Sequence, residues 1–132
     1  MTTLSNAEVA DVLEKAAERL ELCPWGQRSE RINQRKICAE DSIFLTLANA
    51  RQGAIITEAD RFENRTWDKF AQVHRALVPY LPQKTEVAMS GFTYEKEQSL
   101  FEWNDHPDRT KDEVIEMFKN VAKDLRNEAQ PE

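Results

Sequence analysis

Two four-residue patterns, each opening an amphipathic run, constrain this chain more than anything else in it. Ser5-Asn6-Ala7-Glu8 and Thr110-Lys111-Asp112-Glu113 each place a hydroxyl residue three positions before a glutamate. At that spacing the hydroxyl accepts the backbone N–H of the glutamate, and the carboxylate reaches back to the N–H of the hydroxyl residue. Two donors orphaned at a helix start are satisfied together. After the first pattern, Val9, Val12, Leu13, Ala16, Ala17 and Leu20 recur at helical spacing, with Asp11, Glu14, Lys15, Glu18 and Arg19 on the other face. After the second, Val114, Ile115, Phe118, Val121, Ala122 and Leu125 form the same kind of stripe. The spacing predicts helices over 6–22 and about 111–127. The first is stopped at Cys23-Pro24-Trp25-Gly26, because proline cannot continue a helix.

The segments between them are read in the same way. Residues 39–50 form a second amphipathic run, with Ile43, Leu47 and Ala50 on one side, Phe44 and Ala48 widening the stripe, and Gly53 ending it. Thr66 is placed to cap a third helix over 67–78, whose apolar face would carry Trp67, Phe70, Ala71, His74, Leu77 and Val78 before Pro79 and Pro82 end it. Thr85, Val87 and Met89 alternate with other residues, Ser90-Gly91 is a turn signal, and Phe92 and Tyr94 alternate after it. A short β-hairpin is expected near residues 85–94. Glu95–Trp103 reads as a short helix and 104–108 as a turn, while 54–65 reads equally as short strand or loop. The expected fold is all-α: a single compact domain, residues 1–132, of four to five helices plus that hairpin. Its core spans about 6–127, and its tail, 128–132, frays.

Composition bounds the function. Apolar residues make up 40% and charged residues 32%, which is globular composition. No apolar run reaches the roughly 18 residues a membrane helix needs, and the N-terminus lacks the basic and apolar regions of a signal peptide, so a cytoplasmic protein with no membrane partner is expected. The three glycines stand at 26, 53 and 91, so no glycine-rich phosphate loop can form. There is no GxSxG, HExxH or CxxC motif. Cys23, Cys38, His74 and His106 are the complete set of soft metal ligands. Their spacings match no zinc module, so the cysteines read as reduced core residues and no cofactor or metal is expected. His74, on an apolar face, reads as a satisfied, partly buried histidine.

The net charge of −6 argues against direct nucleic-acid binding through bulk charge. It is unevenly spread: between the first two helices, Arg28, Arg31, Arg35 and Lys36 face only Glu30, for a local +3 beside Trp25 and Ile32. Arginine next to an aromatic suits a carboxylate, a phosphate or the acidic patch of a protein. Trp25, Arg28, Arg31, Arg35 and Lys36 are therefore candidate partner- or anion-binding residues. A second candidate cluster is Trp103, Asn104, Asp105 and His106. There Trp103 would close the core, Asn104 and Asp105 would bond turn amides, and His106 beside a carboxylate has the makings of a general base without a nucleophile.

The order of these features resembles a family. Val12-Leu13-Glu14-Lys15-Ala16-Ala17-Glu18-Arg19-Leu20 leads into Trp25-Gly26, and Ile37-Cys38-Ala39 opens the second helix. Then follow Trp103-Asn104-Asp105, Arg109-Thr110 and Glu113-Val114-Ile115. The pattern is similar to a family of small proteins of unknown function from actinobacteria and their phages. It spans roughly 9–126 and is carried by the residues outside 51–98. Where the family has small, glycine-rich residues after the cysteine, this chain has Glu40-Asp41-Ser42. The resemblance implies no activity and suggests a phage or actinobacterial setting, hence a host-cell cytoplasm.

The leading expectation is a small non-enzymatic interaction or accessory protein that binds a host or phage protein. Two others stand beside it: a small enzyme or metal-binding protein using His106 and Asp105 with Cys23 and Cys38, and an acidic nucleic-acid mimic.

Overall fold

The computed structural model of the chain describes residues 4–27, 36–49, 66–81, 85–89, 92–96, 100–105 and 108–129. In chain order these form α1 (Asn6–Leu22), α2 (Ala39–Leu47), α3 (Thr66–Leu77), a 3-10 turn (Val78–Tyr80), β1 (Thr85–Met89), β2 (Phe92–Lys96), α4 (Leu100–Asn104) and α5 (Lys111–Ala129). The expected all-α class, with its one hairpin, is the observed one.

Both capping boxes form as the spacing requires. Ser5 Oγ accepts the Glu8 N–H at 3.1 Å and the Glu8 carboxylate accepts the Ser5 N–H at 3.0 Å. Thr110 and Glu113 repeat the exchange at 3.2 and 2.9 Å. The amide of Thr110 is the first cause holding the Glu113 carboxyl below its usual range, and Arg109 adds to it.

α1 and α5 lie antiparallel and bury their stripes against each other. Arg126, late in α5, pairs with Asp11 and Glu14 early in α1, whereas Lys119 pairs with Glu21 near the end of α1. Leu13, Ala16, Ala17 and Leu20 from α1 and Val114, Phe118, Val121 and Ala122 from α5 are fully buried. Each large aliphatic or aromatic side chain so covered contributes roughly 1.5–3 kcal/mol. α2 and α3 complete the core through Ile43, Phe44, Leu45, Phe70, Val73 and Leu77. Phe44 stacks on Phe70 with ring centroids 4.2 Å apart.

Three boundaries differ from the sequence expectation, each for a local reason. α2 ends at Leu47 because Asn49 adopts a left-handed conformation, φ 53°. Asparagine tolerates that conformation at a helix end, so the stop assigned to Gly53, which lies outside the described residues, comes earlier. α3 turns a different face inward: Thr66, Phe70, Val73 and Leu77 are buried, Thr66 is part of the helix, and Trp67 stays 47% exposed. Pro79 then tightens the chain into the 3-10 turn. The helix expected over Glu95–Trp103 is split. β2 runs antiparallel to β1 through Lys96, with Met89 opposite Phe92 and Thr85 opposite Lys96, and α4 begins only at Leu100. The Ser90-Gly91 turn and the ambiguous stretch 54–65 lie outside the described residues. Among the described residues no helix is long and apolar enough to cross a membrane.

Candidate functional site

α4 is five residues long and too short to hold itself together. Its last residue explains its place in the fold. Asn104 is fully buried, and its side chain is the junction of three segments. Its Oδ1 accepts the indole Nε1–H of Trp25 at 2.7 Å and the backbone N–H of Ala39 at 2.9 Å. Its Nδ2 donates to the Gly26 carbonyl at 3.3 Å and to the Asp105 carboxylate at 3.2 Å. Its own carbonyl accepts Gln27 Nε2 at 2.7 Å. A primary amide has two donors and two acceptor lone pairs, and all four are used here.

The sequence reading gave Asn104 and Asp105 a local task, bonding amides of their own turn. The structure corrects this: Asn104 reaches the Trp25–Gln27 turn and the start of α2. Trp25 of one candidate cluster and Asn104 of the other, far apart in the sequence, are hydrogen-bonded to each other. Arg28, Arg31, Arg35 and His106 lie outside the described residues. Lys36 and Trp25, at the two ends of the basic segment, are described and half-buried.

The backbone at the base of the basic segment is closed as well. Gly26 N–H donates to the Ile37 carbonyl and Ile37 N–H to the Pro24 carbonyl, each at 2.9 Å, so Trp25 and Ile37 form a parallel bridge. The chain leaves this bridge at Gln27 and returns to it at Lys36.

The start of α2 holds the other half of the clasp. Cys38 caps the helix with its thiol, Sγ accepting the Asp41 N–H at 3.3 Å, while the Asp41 carboxylate accepts the Cys38 N–H at 3.2 Å. This is a capping box with cysteine for serine and aspartate for glutamate. Its x-x spacing was visible in Cys38-Ala39-Glu40-Asp41, but the residue types hid it. The exchange, with Ser42 Oγ donating to the Ala39 carbonyl at 2.6 Å, explains why Asp41 and Ser42 are buried where the family resemblance suggests small residues. Cys23 and Cys38 are both buried.

Trp103, in α4, is 7% exposed and belongs to the core, as expected. Arg109 lies over its ring at 3.9 Å, donates from Nε to the Trp103 carbonyl at 3.0 Å, and pairs with Glu113 at 3.1 Å. The α4–α5 turn is thereby fastened to both helices. Lys111 Nζ donates to the Cys23 carbonyl at 3.1 Å, placing a cation where the α1 dipole ends negative.

The family model described as "Family of unknown function (DUF6197)" matches residues 4–124. The chain belongs to this family. The matched span takes in every element of the clasp, from Trp25 and Cys38 to Asn104, Arg109 and Glu113. Membership in DUF6197 carries no activity with it. No curated protein and no solved structure matches the chain.

The clasp's chemistry is that of a support. The Asn104 amide has no spare donor or lone pair to offer a substrate, and Cys38 Sγ is fully buried and engaged with a backbone amide. Among the described residues no group of three His, Cys, Asp or Glu side chains is placed to hold a metal ion.

Proposed function

We propose that this protein is a non-enzymatic interaction module that presents the basic segment 28–36 to an acidic surface of a protein partner. One observation supports this reading above the rest. The base of that segment is fixed twice, by the Trp25–Ile37 bridge and by the saturated Asn104 side chain. Fixing the ends of a binding segment lowers the conformational entropy lost on association, and arginines on such a segment suit carboxylates. On this reading the partner is a host or phage protein, in keeping with the resemblance to a family from actinobacteria and their phages. The acidic-mimic reading draws no support from the α1–α5 face, where Asp11, Glu14 and Glu21 are interleaved with Arg126 and Lys119.

The test is affinity capture from host lysate, with wild type beside the triple variant R28E/R31E/R35E. A partner held by wild type, released by salt and lost in the triple variant supports the proposal, provided far-UV circular dichroism is unchanged. Equal capture by both, or no partner at high protein concentration, overturns it.

A further inference from the structure

His74 connects acid chemistry to the clasp. Its Nε2 lies 3.1 Å from the backbone nitrogen of Leu100, the first residue of α4, across 26 residues of chain. A backbone N–H can only donate, so Nε2 is the acceptor and carries no proton in this arrangement. The N–H at a helix start has no intrahelical partner, and the imidazole supplies an acceptor for it from α3. α4 has only five residues and ends at Asn104. Its two ends are therefore tied to the rest of the fold by His74 and by the Asn104 junction.

We infer that His74 is an acid-sensitive latch: protonation at Nε2 breaks its bond to Leu100, frees the start of α4, and loosens Asn104 from Trp25 and Ala39. As regulation of the base of the basic segment it rests on the function proposed above; as a conformational device it stands on geometry alone. Imidazole titrates with an ordinary pKa near 6.5. The proton and the Leu100 N–H compete for one lone pair, so proton uptake belongs to the unlatched state. Acid therefore favours unlatching, and the latch is intact above the ordinary histidine range. Among the described residues, the charged groups lining the groove beside His74 are Glu40, from α2, and Arg75, from α3 itself. Glu40 favours the imidazolium and Arg75 opposes it. The 3-10 turn brings Val78 and Pro79 to that groove, and Leu100, whose N–H meets Nε2, is fully buried. On its own helix, His74 sits against Phe70, with ring centroids 5.8 Å apart.

The experiment is a proton–nitrogen NMR titration of the full chain from about pH 8 to 5, following the His74 imidazole, the Leu100 amide and the Trp25 indole N–H. The three are expected to move together, with one common midpoint, as the pH falls. Protection of the indole N–H, corrected for intrinsic exchange, should fall by up to about tenfold per pH unit as that midpoint is approached from the alkaline side, the limit for uptake of one proton. In H74Q the amide oxygen can accept from Leu100 without titrating, so the Leu100 and Trp25 transitions should vanish; in H106Q they should persist. Separate midpoints for His74 and Trp25 in wild type, a transition surviving in H74Q, or one abolished by H106Q would overturn the latch. The wild-type midpoints decide the matter if H74Q does not fold. No partner enters this titration, so a failed capture experiment leaves its outcome unchanged.

Discussion

The indole of Trp25 and the amide of Asn104, separated by 79 positions in the chain, share a 2.7 Å hydrogen bond inside the fold. That contact makes one structure of a turn, a helix start and a short helix that have no local reason to meet.

Asn104→Ala orphans the Trp25 indole N–H, the Ala39 N–H and the Gly26 carbonyl together. An orphaned buried group costs about 1–3 kcal/mol and these will not add fully, so a loss of about 3 kcal/mol is expected. Urea denaturation reads it as a lower midpoint at constant slope. Asn104→Asp keeps the acceptor but points an oxygen at the Gly26 carbonyl and the Asp105 carboxylate, so it should rescue less than half of the loss. Full stability in either variant would mean the junction carries no energy.

Trp25→Phe removes one donor and leaves Oδ1 bonded to Ala39. The expected cost is about 1 kcal/mol, smaller than that of Asn104→Ala. If the order of the two is reversed, Trp25 stabilises by packing and not through the bond.

How much of this was legible from sequence depends on how far each contact reaches. Ser5 with Glu8, Thr110 with Glu113, and the stripes of α1 and α5 are set by neighbours three to seven residues away, and they were read correctly. The α3 face was misjudged because Trp67 was counted inward. It instead lies at the edge, its ring 5.8 Å from Phe44 and 6.0 Å from Phe70. Asn104 reads from sequence as turn chemistry because, Asp105 apart, its partners stand 65 to 79 positions away. The Cys38–Asp41 exchange was missed because a thiol is a weak acceptor and seldom caps a helix.

The two N-caps offer a test of additivity. α1 and α5 are antiparallel, so Ser5 and Thr110 sit at opposite ends of the pair. Ser5→Ala and Thr110→Ala should each cost about 1 kcal/mol, and the double variant should equal their sum within about 0.5 kcal/mol. A larger discrepancy, seen by thermal or urea unfolding, would show that the two helix starts communicate.

Acid should weaken the α1–α5 pairing in a definable window. The side-chain hydrogen bond from Arg126 is the first cause holding the Glu14 carboxyl below its ordinary value of 4.5. A carboxylate with a depressed folded pKa contributes stability that is fully present above 4.5 and is lost as pH falls through the lowered value. Arg126→Gln should therefore destabilise the protein at neutral pH and converge with wild type in strong acid. Both partners are well exposed, so the effect should be smaller than that of Asn104→Ala and should shrink with added salt. Parallel pH–stability curves for the two proteins would exclude the pair as the cause.

The pairing of α1 with α5 also sets an order of events on the ribosome. Translation at roughly 5–20 residues per second leaves a wait of roughly 4–18 seconds while residues 23–110 are made. During it, Leu13, Ala16, Ala17 and Leu20 are already part of the chain, but α5, which packs on them, has not been synthesised. The α1 stripe of a nascent chain therefore lacks its α5 partner until synthesis is nearly complete, and it is the kind of transiently exposed apolar surface that chaperones shield.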